Sequence, residues 1–116
     1  MLNREEILSK VSLKKETVLV EEWGGEVLVS EMSGASRDAW EQAIREKDAN
    51  GGLVSPRAKL VAHTVVDDNG ERLFQDEDLK TIGKLSSSAL ERVCDVAMRL
   101  NGLGSEEITK SKKNLD

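Results

Sequence analysis

The residues able to do chemistry are few. His63 is the single histidine of this 116-residue chain, and Cys94 its single cysteine. A Ser/His or Cys/His nucleophile would need His63 as its base. His63 lies in an apolar helical stripe with Leu60, Val61, Thr64 and Val65, so it reads as a structural histidine, on a helix surface or half-buried. Zinc would have to draw on His63, Cys94 and carboxylates from distant segments, a poor ligand set. Cys94 falls on the inner stripe of a helix, with Arg92 two positions away on another face. A buried free cysteine behaves as a small hydrophobe. Asp67-Asp68-Asn69-Gly70 invites a calcium loop, which wants ligands at positions one, three and five and Gly at six. Counting back from Gly70 puts Val65 at position one and Asp76, not Glu, at twelve, so the segment reads as a turn. Gly24-Gly25 and Gly102-Leu103-Gly104 lack the strand–loop–helix context and lysine of a phosphate loop. Glu21-Glu22 would face opposite ways on a strand, and Asp76-Glu77-Asp78 suits a helix start. No catalytic constellation emerges. The expectation is a protein that is not an enzyme and takes no cofactor and no metal.

Composition narrows the class further. The chain is 38% hydrophobic and 34% charged, while aromatics are 3%: Trp23, Trp40 and Phe74. The core must therefore come from Leu, Val, Ile and Ala. A formal net charge of −5 argues against phosphate-backbone binding, and three aromatics argue against a base-stacking platform. No apolar run approaches the length of a membrane span, and Met1–Lys10 lacks an apolar core for a secretion signal. No nucleic acid and no membrane are expected as partners, and the expected compartment is the cytoplasm. The charge is unevenly placed. Glu16, Glu21, Glu22, Glu26 and Glu31 stand in residues 16–31 without a single base, whereas residues 1–15 hold four bases against two acids.

The acidic stretch is also the clearest β signal. Thr17–Trp23 and Glu26–Met32 are rich in β-branched and aromatic residues and flank Gly24-Gly25, a natural two-residue turn. Pairing across it places Val18, Val20, Val27 and Val29 on one face. Leu19, Trp23, Leu28 and Met32 share the other with Glu21, Glu26 and Ser30. A two-stranded hairpin alone is marginal in water, so it must lie on helices or on another chain. Helices are expected from Ser33 to about Lys47, from Ser55-Pro56 through Leu60, Val61, Thr64 and Val65, from Asp76 through Leu79 and Ile82, and from Ser86 to about Asn101. Ser88 with Glu91 has capping-box spacing, though Ser86 also fits as the cap. Asp48–Gly52 is expected to break the helix before it, and Ser105-Glu106-Glu107 to start a last short helix.

The fold expected is α+β: a mostly helical single domain over residues 1–104 with an N-terminal β-hairpin packed on helices. Residues 105–116 are expected to form a short helix and polar tail. Leu19, Trp23, Leu28 and Met32, rimmed by glutamates, are the candidate partner-binding patch, since exposed apolar patches mark interfaces.

The order of motifs resembles the tail assembly chaperones of long-tailed, non-contractile bacteriophages. The resemblance runs through a short helix at Arg4–Leu8 and the hairpin Val18–Val29 with its Glu22-Trp23-Gly24-Gly25. It continues through the helix start Ser33-Gly34-Ala35-Ser36-Arg37-Asp38-Ala39-Trp40, where Ser36 replaces the family's acid. Ala58–Ala62, Val65–Phe74, Asp76–Leu79 and the helix from Ser86 to Leu103 complete it. Such proteins are non-enzymatic. The resemblance implies a chaperone that binds the tape measure protein, keeps it soluble and helps recruit tail tube protein in the host bacterial cytoplasm, with self-association. It also implies a second, longer product made by ribosomal frameshifting. Lys112-Lys113-Asn114 then becomes the expected site of a −1 shift, because adenine-rich codons suit slippage. The alternative reading is a small acidic protein–protein interaction adaptor with no catalytic activity.

Overall fold

Alternation at Val18, Val20, Val27 and Val29 builds the first layer of the structure, a computed structural model that describes residues 1–47 and 55–103. Strand β1 (Lys15–Val20) pairs antiparallel with β2 (Gly25–Ser30), with Val18 opposite Val27 and Val20 opposite Gly25. Val18, Val20 and Val29 are buried, and Val27 packs against the same core. The connection differs from the expected two-residue turn. Glu21–Trp23 form a 3-10 turn, and Gly24 closes it at φ +74°, donating its N–H to Glu21 O at 3.0 Å. Only Gly24 of the pair needs the left-handed region; Gly25 already lies in the strand. A turn on Gly24-Gly25 would have set Val20 against Val29. The observed register is shifted by an even number of residues, so the side chains within the paired strands keep their expected faces.

A third strand extends the hairpin. β3 (Val65–Val66) pairs antiparallel with β2, with Leu28 opposite Val66 and Val29 opposite Val65. Val65 was expected at the end of a helix. Helix α3 (Pro56–Thr64) instead stops one residue earlier, and Val65 turns extended while its N–H still bonds Val61 O. Its carbonyl accepts from Leu73 N–H at 3.1 Å, and Val66 bridges to Arg72. Two β-branched residues ahead of a tight turn favour this exit from the helix.

The helices take the positions their caps dictate. Ser33 Oγ accepts from Ser36 N–H and opens α2 (Gly34–Ala43), which ends short of the expected Lys47. Ser55 Oγ accepts from Ala58 N–H, with Pro56 at the first helical position of α3. Every residue of α3 from Ala58 to Thr64 is buried, so it is the central helix, not an amphipathic one. Its Lys59 is only 3% exposed; the ammonium donates to the carbonyls of Ala43 and Glu46 and so closes the end of α2. A 3-10 turn at Asp76–Asp78 leads into α4 (Leu79–Gly83), which buries Ile82. The Asp78 carboxylate, not that of Asp76, takes the Gln75 N–H there. Ser86, not Ser88, caps α5 (Ser87–Leu100), which lays Leu90, Val93, Cys94 and Ala97 into the core. Gly102, at φ +69°, and Leu103 return their N–H groups to Arg99 O and Met98 O, which stops α5.

The valine face of the sheet lies on α5, and α3 packs against α5 in turn, in the α+β arrangement expected. Asn101 joins the layers. Its Oδ1 accepts the Met32 N–H at 2.7 Å and its Nδ2 donates to Ala97 O at 2.7 Å. Asn101→Ala strands the part-buried Met32 N–H, so it is expected to cost about 1–3 kcal/mol in a denaturant titration. Helix α1 (Arg4–Leu8), capped by Asn3, buries no residue. The expected break at 48–52, the helix at 105–107 and the lysine tail lie outside the described residues.

Candidate protein-docking face

The acidic hairpin is partly neutralised by α5. Arg92 holds both carboxylate oxygens of Glu22 at 2.5 and 3.1 Å, and Arg99 holds Glu16. Glu31 accepts the Lys14 N–H at 3.1 Å. The Arg92 hydrogen bonds hold the Glu22 carboxyl below its ordinary value. That share of stability is present above the unfolded carboxyl's pKa and is lost as pH falls through the depressed value. Arg92→Ala is expected to return Glu22 toward an ordinary titration, followed by NMR of its side-chain carboxyl. Glu21 and Glu26 remain exposed on the hairpin.

The candidate chemical groups are placed apart by structural roles. His63 is buried, with Nδ1 2.8 Å from Lys59 O in its own helix. Burial pushes the Cys94 thiol up to about 11, with nearby Arg57 opposing and Asp95 and Glu91 adding to the shift. Its Sγ–H donates to Arg57 O. Cys94 should therefore react with a thiolate-seeking reagent at pH 8 far more slowly than an exposed thiol. Because the folded pKa is raised, its contribution to stability is intact below the unfolded thiol's pKa of about 9 and declines as pH rises towards 11. Asp67 organises the turn before Arg72, its Oδ1 accepting from Asn69 and Glu71 N–H, with Gly70 at φ +81°. Among the described residues no three of His, Cys, Asp and Glu are grouped to hold a metal ion. No described helix is long and apolar enough to cross a membrane.

The outward face of the sheet carries the apolar surface. Leu19 is 56% exposed, and Leu28, on the same face, is half-buried. The structure separates them from the other two residues of the sequence patch. Trp23 leaves the face because the 3-10 turn breaks the strand alternation, and it packs half-buried against the core. Met32 lies beyond the end of β2 and is buried, its backbone tied to Asn101. The third strand adds residues that the hairpin reading missed. Thr17, Glu26, Val27, Leu28, Val66, Asp67, Asp68 and Leu73 line an open groove of about 360 Å³. Leu28, Val66 and Leu73 give it apolar lining and Glu26, Asp67 and Asp68 acidic lining; Leu73 is 51% exposed. The pair Val65-Val66 before Asp-Asp-Asn-Gly was the signal that could have revealed it.

The sequence model of the family described as phage tail assembly chaperone matches residues 4–114. The chain belongs to this family. A solved structure, that of the bacteriophage HK97 tail assembly chaperone, is 19% identical and superposes with a TM-score of 0.57, covering 83% of this chain and 91% of that one. At that identity the likeness speaks for a shared fold. No curated relative matches the chain. A tail assembly chaperone acts on protein partners in tail assembly, so a protein-docking face is the site to seek on this member of the family.

Proposed function

We propose that this tail assembly chaperone binds the tape measure protein through the outward face of its sheet, keeps that partner soluble, and helps recruit tail tube protein in the host bacterial cytoplasm. The observation that supports this reading most is the outward face of the sheet, where Leu19 is 56% exposed and Leu28 lines a groove together with Glu26, Asp67 and Asp68. A long partner with many apolar segments needs repeated, individually weak contacts, and several chaperone copies along it supply avidity. The acidic, highly charged remainder of the surface keeps such a coated partner dispersed. Nothing in this role requires catalysis. The test is co-expression with the tape measure protein of the same genome. The partner is expected to stay soluble and to co-purify. Precipitation of the partner beside folded, solitary chaperone, with and without the longer product, would remove the reading. The −1 frameshift at Lys112-Lys113-Asn114 is a separate proposal, decided by whether the gene keeps an uninterrupted adenine run there.

A further inference from the structure

The sheet ends on an open edge. Its order is β1-β2-β3, so β1 has one strand neighbour among the described residues. Glu31 N–H donates to Lys14 O at 2.7 Å at the foot of the ladder, which fixes the alternation above it. Glu16 and Val18 therefore bond to β2, whereas the backbone groups of Lys15, Thr17 and Leu19 point away from it. The same alternation on β2 turns Leu28 to Val66 of β3. On β1 no described strand takes up the groups of Thr17 and Leu19. Proteins commonly blunt such an edge with proline, a bulge or a charged side chain. β1 has no proline, and its pairing runs one-to-one from Lys15 to Val20 without a bulge. Its two charged side chains are drawn elsewhere. Lys15 lies beside Gly70 in the turn after β3, and Glu16 is held by Arg99 of α5.

We infer that the tape measure protein is held by strand addition, an extended segment of it pairing along the free edge of β1 as a fourth strand. This mode of binding rests on the proposed function and gives it a register. The edge is continuous with the proposed docking face, since Thr17 also lines the groove and Leu19 is exposed beside it. Main-chain hydrogen bonds supply affinity whatever the side chains, while alternate side chains supply preference. A chaperone that meets many different segments of one long partner needs such sequence-tolerant recognition. The preferred segment is as long as β1, with apolar or β-branched residues beside Thr17 and Leu19. A lysine or arginine stands at its Glu21 end. Glu21 and Glu26 both lie there, and neither is in an ion pair with another described residue.

The test separates backbone from side chain at one position. Thr17→Pro deletes an N–H that points away from β2, so the β1–β2 ladder keeps its bonds. Thr17→Val keeps that N–H and suits a strand. Each variant is titrated by calorimetry with a soluble tape measure fragment, beside its melting curve. Thr17→Pro is expected to weaken capture at least about tenfold, because the partner's carbonyl is left unpaired. Thr17→Val should bind within about threefold of wild type. A measurement on wild type does not depend on the proline variant folding. The fragment is labelled with carbon-13, and its amide I infrared band should move to the extended-strand position on binding. Folded Thr17→Pro that binds as wild type does, equal losses in both variants, or a bound fragment with a helical band would each overturn strand addition. The proposed function would still stand if Leu19→Ser with Leu28→Ser lost capture. A wild type that captures no fragment would remove both.

Discussion

Val29→Asp is expected to abolish the fold, whereas Leu28→Asp one residue away should leave it standing. Val29 is fully buried at the centre of the sheet, between the registers with Glu16 on β1 and Val65 on β3. A carboxylate there has no partner, and an unpaired buried charge costs several kcal/mol or is neutralised at a similar cost. A domain of this size has roughly 5–15 kcal/mol in total, so the loss consumes most of it. Leu28 points to the other face, where water reaches a new carboxylate. The two variants are compared by far-UV circular dichroism and thermal melting. Val29→Asp should show no cooperative transition, and Leu28→Asp should melt within a few degrees of wild type.

Leu19→Ser combined with Leu28→Ser is expected to weaken capture of a tape measure fragment by at least about tenfold, at little cost to the fold. Apolar anchors near the middle of an interface each contribute more than about 1 kcal/mol, and 1.4 kcal/mol is a factor of ten. Leu19 is more than half exposed and half-buried Leu28 is its neighbour on the outward face, so the chaperone itself loses little packing. Trp23 is the contrasting control. It packs against the core, so Trp23→Ala should lower the melting temperature and affect capture only through the fold. The readout is a binding titration by calorimetry beside the melting curves of all three proteins.

What could be read in advance and what could not divides on physical grounds. The alternation at Val18, Val20, Val27 and Val29 is a local signal, and it located the buried face although the turn between the strands was of another kind. Caps such as Ser33 and Ser55 are likewise local, because the side chain satisfies a backbone group three residues on. Helix ends set by tertiary contacts were not legible. Val65 leaves α3 because β2 offers it a strand partner, which no window of local sequence contains. The burial of Lys59 follows from the carbonyls at the end of α2, brought to it only by the packing of two helices. The four-residue patch shared this limit. Period-two counting carried Leu19 and Leu28 correctly to one face, but it ran on through Trp23 and Met32, where the strand had already ended. The groove needed the third strand and the turn at Asp67, so its acids could not be assigned from the hairpin alone.

The proposed function depends on where the tape measure protein sits. Hydrogen exchange on the purified complex, set against free chaperone, tests this most directly. In the antiparallel ladder the backbone groups of Thr17 and Leu19 point away from β2, since Lys14 and Glu31 already form a bonded pair in that register. New protection is expected at Thr17 and Leu19 and around Asp68–Leu73, with exchange along the exposed side of α5 unchanged. Protection confined to α5 or α2, with β1 and the groove exchanging as in the free protein, would contradict it.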